Sequence, residues 1–228
     1  MRHPFRIIGC LLLLFTAAAC ASGAPADIKA QALVDQSKAT IELFKARPKD
    51  STALFNAALR DAKGIMIFPD LFEAAVGVGG QGGSGVMVTR DANGTWGYPA
   101  FYRMSGGSLG IQLGAQSSDV MFLLMTDSAV RSVINNPAQF ALGAQATFGE
   151  LGGGKSSGTT LGGSDIIGFT RGSGIFVGGA FSGAYVSSQP NLDHAYYQNG
   201  GATPTSILID HQVANPDADG LRRALVVQ

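Results

Sequence analysis

Two glycine-rich stretches of the sequence match patterns of phosphate-binding loops. GELGGGKS (149–156) fits G-x-x-x-x-G-K-[ST], in which backbone N–H groups and a lysine hold the phosphates of a nucleotide. GVGGQG (77–82) fits G-x-G-x-x-G, the dinucleotide pattern. Both patterns work only where a strand leads into the loop and a helix begins at its end. The residues that follow each match therefore decide whether it is a binding site.

Neither stretch is followed by residues that favour a helix. After Lys155 and Ser156 the chain continues SGTTLGGSD, whose threonines and glycines are poor helix formers. Asp165 begins the next apolar run, DIIGF, whereas a magnesium-binding aspartate would end one. After Gly82 the residues GGSGVMVTRD predict a strand. We therefore predict that these glycines serve tight turns and close strand approach, and that the chain binds no nucleotide at 149–156 or 77–82.

Other patterns of catalysis or metal binding are missing from the sequence. His194 and His211 stand apart, without the H-E-x-x-H spacing of a zinc site, and the carboxylates are too scattered to name an acid–base pair. The formal net charge is zero, unlike the strongly basic surface of a nucleic-acid-binding protein. We predict a protein that is not an enzyme and has no cofactor, no metal and no nucleic-acid partner.

Residues 1–19 have the composition of a bacterial lipoprotein signal peptide. MRHPFR is basic, IIGCLLLLFTAAA is apolar but short for a membrane span, and small residues precede Cys20. Ala17 departs from the lipoprotein pattern, which usually has Leu three residues before the cysteine. Cleavage at a nearby A-x-A site is the alternative.

Cleavage before Cys20 predicts a lipidated N-terminus. Residues 20–26 would form a short tether and residues 27–228 a single domain whose one remaining cysteine is Cys20, which excludes a disulfide framework. An acyl anchor in the membrane, with no aspartate after the cysteine, predicts the outer membrane, facing the periplasm, within the cell envelope. The alternative is a soluble, secreted or periplasmic protein.

The first part of the domain has the periodicity of a helix from Asp27 to about Lys49. Apolar residues recur at three, four and seven: Ile28, Leu33, Val34, Ile41 and Phe44. Lys38, Lys45 and Lys49 lie on another face, with Glu42 between them. This face is either a solvated surface or a basic stripe that contacts anionic lipid headgroups.

A second helix is predicted from about Ser51 to Gly64, and beyond it the pattern is that of strands. GIMIFPD is an apolar strand, Asn93-Gly94 signals a hairpin, and a turn is expected at Ser117-Ser118. Helical runs return in DSAVRSVINN, with an N-cap expected at Asp127, and in three tail segments, LDHAYYQ, PTSILIDH and ADGLRRALVV. The predicted fold class is α+β: a curved, largely antiparallel, glycine-rich sheet or partial barrel with the N-terminal helices packed on it.

Several ordered segments of the sequence resemble the SYLF domain, a lipid-binding family that is also known as a yeast-type actin-binding domain. They are AKGIMIFP (62–69), the run from GVGGQGG to FLLMT (77–126) and IIGFTRGSGIFVGGAFSGAYV (166–186). The resemblance covers roughly residues 28–211. One departure is GELGGGKS, where family members often have Gly-Pro-x-Gly-Arg, so the P-loop-like stretch resembles a family glycine turn with Lys155 in place of arginine.

The resemblance implies phospholipid binding, which in eukaryotic members includes phosphatidylinositol lipids, through an amphipathic N-terminal segment and basic residues. For a bacterial-type lipoprotein it implies membrane phospholipids, with an anionic phospholipid as the ligand. The matching candidates are Lys38, Lys45, Lys49, Lys63 and Lys155. We do not expect the actin binding of members with an SH3 domain to carry over. The alternative is a structural or protein-interaction module of the outer-membrane periplasm, with unknown protein partners and incidental lipid contact.

Overall fold

A seven-stranded sheet forms the centre of the protein in the computed structural model, which describes residues 24–47, 49–76, 78–108, 113–136, 146–150, 165–172 and 184–227. The strand order is β5-β6-β4-β1-β2-β3-β7, and every pairing is antiparallel except β5 with β6. The strands are β1 (Gly64–Val76), β2 (Val78–Thr89), β3 (Ala100–Ser108), β4 (Leu113–Leu124), β5 (Ala146–Glu150), β6 (Ile166–Gly172) and β7 (Ala184–Ser188).

Six α-helices accompany this sheet within the described ranges. They are α1 (Ala26–Lys45), α2 (Lys49–Asp61), α3 (Asp127–Asn135), α4 (Pro190–Tyr197), α5 (Pro204–Leu208) and α6 (Asp219–Ala224), which follows a 3-10 turn at Pro216–Ala218. None of them combines the length and the apolar composition that a bilayer crossing requires. The α+β class, the largely antiparallel sheet and the two N-terminal helices are confirmed.

The sheet buries apolar side chains on both faces. Alternation along β1 places Ile65 and Ile67 in one core, and Met66 and Phe68 in another. The first core also contains residues of α1, α2, α4 and α6, and we term this the α1 side of the sheet. The second contains residues of α3 and α5. A sheet covered on both faces in this way explains why β1, at its centre, is an almost continuous apolar run.

The N-terminal helices pack on the α1 side through most of the predicted apolar residues, although Ile28 is exposed. Helix α1 buries residues three and four apart, among them Val34, Ile41 and Phe44. The Phe44 ring meets the Phe55 ring of α2 at 5.6 Å between centroids, and Phe55 meets Phe169 of β6 edge-on at 5.2 Å. These aromatic contacts fasten both helices to the sheet.

Strand β1 is longer than the sequence suggests, because a bulge lets it continue past Pro69. Its pairing with β2 skips from Ile67 to Phe72, since proline has no N–H for the ladder and Asp70 has a φ of 54°. The buried Asp119 carboxylate accepts the Asp70 N–H at 3.3 Å and pairs with Arg171. The strand predicted after Gly82 is confirmed, but β2 already begins at Val78, so the dinucleotide-like glycines lie largely in the strand and not in a turn before it. Close strand approach does require one glycine, because a Cβ at Gly85 would clash with the Ile67 carbonyl oxygen of the bulged strand.

Two local predictions are wrong. The turn expected at Ser117-Ser118 does not exist, because β4 passes straight through both serines and pairs Ser118 with Leu71 on one side. The N-cap expected at Asp127 is Thr126, whose hydroxyl accepts the Ala129 N–H at 3.1 Å. Asp127 instead lies in the first turn, where its charge favours the positive end of the helix dipole.

Asp193, a residue of α4, is fully buried. Its Oδ1 accepts the Phe101 N–H at 2.9 Å, whereas its Oδ2 has no hydrogen-bond partner among the described residues. Burial raises the pKa of Asp193 to about 7, although the hydrogen bond from Phe101 acts in the opposite direction. The folded protein therefore holds this proton more tightly than the unfolded chain does.

We predict that the free energy of unfolding falls as pH rises from about 4 to about 7. The pKa of Asp193 is raised from 3.8 to about 7 on folding, so its protonated form stabilises the fold at low pH and this contribution is lost across that window. Denaturant unfolding at several pH values measures the slope. Asp193→Asn keeps an acceptor for Phe101 but cannot titrate, so it should flatten this slope. An equal slope in both proteins would contradict the assignment.

Candidate anion-binding site

A cleft of about 520 Å³ opens where the end of α2, the β2–β3 turn and the C-terminal segment meet. We term it the arginine cleft. Its lining contains four arginines and one aspartate, an excess of three positive charges: Arg60, Arg90, Gly94, Thr95, Trp96, Asp219, Arg222, Arg223, Val226 and Val227.

Arg90 is held rigidly at the floor of the arginine cleft. Its guanidinium donates to three backbone carbonyls, those of Leu59 at 3.2 Å, Ala62 at 3.0 Å and Gly94 at 2.6 Å. It also lies 4.2 Å from the ring centroid of Trp96, a cation–π distance. Arginine has five N–H donors, so the three bonds leave two for a ligand.

The turn that joins β2 to β3 forms one side of the cleft. The Asp91 carboxylate accepts the N–H groups of Asn93 at 2.9 Å and Thr95 at 2.8 Å, which folds the turn tightly. Gly94 has a φ of 79°, a conformation that favours glycine, and this confirms the hairpin predicted from Asn93-Gly94.

Arg222 is positioned on the opposite wall in the same way as Arg90. It lies 4.2 Å from the ring centroid of Tyr98, donates to the Trp96 carbonyl at 2.8 Å and pairs with Asp219 at 2.6 Å. The hydrogen bond from Arg222 is the main reason that the pKa of Asp219 is lowered, so this carboxylate stays ionised. Arg222 therefore neutralises the one acidic group in the lining.

Arg60 and Arg223 provide the accessible charge of the cleft. Both side chains are exposed, and neither forms an ion pair with any residue in the described ranges. Arg60 lies near the C-terminal end of α2 and Arg223 near that of α6. Their guanidinium groups are free to form bidentate hydrogen bonds with a phosphate or a carboxylate.

The C-terminal segment completes the cleft because two side-chain donors hold its backbone. The Trp96 indole N–H donates to the Leu225 carbonyl at 3.1 Å. The Lys45 ammonium, on α1, donates to the Val226 carbonyl at 2.7 Å and to that of Ala224. Val226 thereby stands in the lining with 57% of its surface exposed.

The chemistry of the lining is that of anion binding. Two guanidinium groups fixed on aromatic rings and two accessible ones create a positive field next to an apolar wall of Val226 and Val227. The only carboxylate in the lining, Asp219, is paired, and the lining contains neither histidine nor cysteine. The described residues contain no group of carboxylates, histidines or cysteines arranged to hold a metal ion.

Two of the lysines predicted to bind lipid lie on the face of α1 that packs beside α6. Lys38 is half-exposed and pairs with Glu42 at 3.7 Å, and its aliphatic stem lies next to Gly220. Lys45 is partly buried, and desolvation lowers the pKa of its ammonium group. Its two hydrogen bonds to the C-terminal segment hold that segment in place beside the arginine cleft.

The other predicted positions lie elsewhere. Lys63 is exposed, and its carbonyl accepts the Arg90 N–H at 2.9 Å, so its backbone adjoins the cleft. Lys49 begins α2, but its side chain is outside the described residues, as are Lys155 and Cys20. The lipid-binding role of all five lysines stays a prediction. Of the P-loop-like stretch, Gly149 and Glu150 end β5 and the remaining residues are not described.

Reasoning from the sequence missed the arginines of the cleft. Arg60, Arg90 and the Arg222-Arg223 pair are separated by up to 163 positions in the chain and form no motif. Only the adjacent pair, Arg222 and Arg223, is a local signal in the sequence. The fold brings Arg60 and Arg90 next to this pair, because the hairpin turn lies beside the C-terminal helix.

Comparison with known proteins connects the chain to one family. Residues 105–227 match the family model Ysc84, described as Las17-binding protein actin regulator. The chain is 29% identical over 172 residues to Protein YSC84 of Saccharomyces cerevisiae, covering 73% of this chain and 36% of that protein. It is 28% identical over 177 residues to the SH3 domain-containing protein PJ696.02 of Schizosaccharomyces pombe, covering 74% and 40%.

The name of a third relative refers to a binding partner. The chain is 27% identical over 172 residues to LAS seventeen-binding protein 3 of Saccharomyces cerevisiae, covering 73% of this chain and 37% of that protein. The chain thus spans about two fifths of the length of the curated relatives it matches.

We predict that Lys45→Met destabilises the protein by about 1–3 kcal/mol, because it removes a charged donor from two carbonyls that would lose their partner. Lys38→Met is the matched control on the same helix, where only an exposed pair with Glu42 is lost and the expected cost is about 0.5 kcal/mol or less. Denaturant unfolding of both variants measures the difference. Equal costs would mean that Lys45 does not hold the C-terminal segment.

Proposed function

We propose that this chain, which belongs to the Ysc84 family, also known as the SYLF-domain family, binds anionic phospholipids without catalysing a reaction. The observation that carries the proposal is the arginine cleft, in which two accessible and two fixed guanidinium groups surround a space of about 520 Å³. A phosphodiester headgroup offers the negative charge and the oxygen acceptors that such a lining recognises.

The fixed arginines would give the cleft its preference for an anion, and the accessible ones its contacts. Arg90 and Arg222 each donate hydrogen bonds to backbone carbonyls, so their guanidinium groups are already in position before a ligand binds. Arg60 and Arg223 can close on phosphate oxygens from two sides. Each cation near an anionic lipid surface contributes about 1 kcal/mol, so the contact should be modest and sensitive to salt.

The apolar wall supports a lipid over a soluble phosphate compound. Val226 is exposed beside Arg223, so a ligand whose phosphate lies in the cleft would meet an apolar surface next to it. The glycerol and first acyl carbons of a phospholipid have that order of polar and apolar groups. Exposed Lys63, whose backbone adjoins Arg90, would add charge at the same corner of the molecule.

The N-terminal sequence supports a location at the cell envelope as part of this proposal. A signal peptide over 1–19 and a lipidated Cys20 would hold the domain at the cell envelope, on the periplasmic side of the outer membrane. The tether of residues 20–26 is short, so the domain would remain close to the membrane surface. Its ligand would then be available at high local concentration.

A protein-interaction module is the second candidate, because the family is described by a protein partner. The family model is that of a Las17-binding protein actin regulator, and one relative is named LAS seventeen-binding protein 3. An acidic peptide segment could occupy the same cleft, with Val226 and Val227 as its apolar wall. Competition between such a segment and a phospholipid would then occur at one site.

We predict that Arg60→Ala and Arg223→Ala each weaken binding of dihexanoyl phosphatidylglycerol by about fivefold, since each removes one charge contact of about 1 kcal/mol. Titration calorimetry of the full chain measures the affinity, with dihexanoyl phosphatidylcholine as the neutral comparison. Arg131→Ala is the matched control, because Arg131 is an exposed arginine on α3, which packs on the other side of the sheet.

The pattern among the three variants decides between the candidates. Losses at Arg60 and Arg223 with Arg131→Ala unchanged support headgroup binding in the cleft. Equal losses in all three would indicate general electrostatic attraction, and no binding of the anionic lipid by the parent chain would favour the protein-interaction candidate.

We also predict that Cys20 carries the anchor. The intact mass of the chain extracted from membranes should lack residues 1–19 and include acyl chains, and Cys20→Ser should appear in the soluble fraction. An unmodified N-terminus downstream of Cys20 would show that the alternative cleavage site is used.

A further inference from the structure

A second surface lies at the other end of α1 from the arginine cleft. A groove of about 780 Å³ runs between the first turns of α1, the start of α4 and the strands β2, β3 and β7. Its lining includes Ala24, Lys29 and Leu33 from the N-terminal side. Lys45, at the opposite end of α1, contacts the C-terminal segment that lines the arginine cleft. A helix of 20 residues is about 30 Å long, which separates the two surfaces.

The sheet register extends this groove into a flat, open surface. Ser84, Arg103 and Ser187 stand opposite one another on three neighbouring strands and line the groove. Two residues further along each strand, the side chains point to the same face again. There the register aligns four neighbouring strands at Phe72, Gly82, Ser105 and Tyr185. We term this second row, with the groove beside it, the aromatic shelf.

Large apolar side chains are exposed at both ends of that row. Phe72 and Tyr185 each expose 52% of their surface, although most large apolar residues of the described strands are buried. Three strand spacings of about 4.8 Å place the two aromatic residues about 14 Å apart. The residues between them, Gly82 and Ser105, are too small to cover the backbone. Ile28, in the first turn of α1, is 57% exposed.

Cations accompany the aromatic residues. Lys29 and Arg103 are exposed and line the groove, and Asp27 in the first turn of α1 offsets one of these charges. Aromatic rings with a polar rim and flanking cations are the composition that suits the boundary between headgroups and acyl chains. Contact with water alone would not favour an exposed phenylalanine at this end of the sheet.

We propose that the aromatic shelf is a bilayer-contact surface, in which Phe72 and Tyr185 enter the headgroup region beside the anchored N-terminus. This inference rests on the proposed membrane function. Cys20 is four residues before Ala24, which lines the groove, so a lipidated cysteine is at most about 14 Å of extended chain from it.

The shelf and the arginine cleft then define how the domain sits on the membrane. Both lie on the α1 side of the sheet: Arg103 and Ser105 alternate with Tyr102 and Met104 of the other core, while Trp96 belongs to the α1-side core. Contacts at both ends of α1 place its axis parallel to the bilayer plane. The cleft would bind headgroups at one end while the shelf makes interfacial contact at the other.

Tryptophan quenching tests the shelf in the full chain. The parent has one tryptophan, Trp96, which is 2% exposed and gives a constant background. Tyr185→Trp and, in a separate variant, Phe72→Trp place a reporter on the shelf. Ser132→Trp is the control, on exposed Ser132 of α3 on the other side of the sheet. Each is reconstituted into vesicles of brominated phosphatidylcholine with phosphatidylglycerol.

We expect bromine to quench the fluorescence of the added tryptophan in both shelf variants roughly twofold more than in Ser132→Trp, since an interfacial apolar face is buried about 5–10 Å into the boundary between headgroups and acyl chains. Equal quenching at the shelf and control positions would overturn the proposal, and two shelf positions guard against one variant that fails to fold. No detectable binding of dihexanoyl phosphatidylglycerol by the parent chain would instead overturn headgroup binding in the cleft, so the two failures are distinguishable.

Discussion

The structure depends on the burial of β1 on both faces. This strand lies at the centre of the sheet, and its alternate side chains enter two separate cores. Both faces must therefore be covered by helices. Those on the α1 side come from opposite ends of the chain: α1 and α2 from the beginning, α4 and α6 from the end. As a consequence, segments from the C-terminal part of the chain lie at both ends of α1: the residues after α6 at one end and the start of α4 at the other.

At one end of α1 this convergence produces the arginine cleft. The Lys45 ammonium and the Trp96 indole donate hydrogen bonds to the backbone of the C-terminal segment. Held in this way, the segment places Arg223 and Val226 in the same cleft as Gly94 of the hairpin turn. The same residues thus stabilise the fold and form the walls of the site. A basic residue that sequence reasoning placed in lipid binding, Lys45, is used to position the segment that lines the cleft.

The sequence determines the elements better than it determines the site. Apolar periodicity identified α1 and the strand GIMIFP, and Asn93-Gly94 identified the hairpin, because these signals are local. Pro69 permits a bulge, but the contact that holds it could not be predicted locally, since the Asp70 N–H donates to a carboxylate 49 positions away, Asp119. The arginine cleft depends likewise on contacts between segments, and arginines that stack on aromatic rings leave no pattern in the chain.

The most direct test of the central claim is an NMR titration that follows the arginine side-chain Nε–H signals of the full chain as dihexanoyl phosphatidylglycerol is added. Binding in the cleft predicts that the signals of Arg60 and Arg223 shift most and saturate together, with smaller shifts at Arg90 and Arg222, whose Nε–H groups already donate to carbonyls. A signal that shifts equally at Arg131, or no shift at Arg60 and Arg223, would contradict headgroup binding in the arginine cleft.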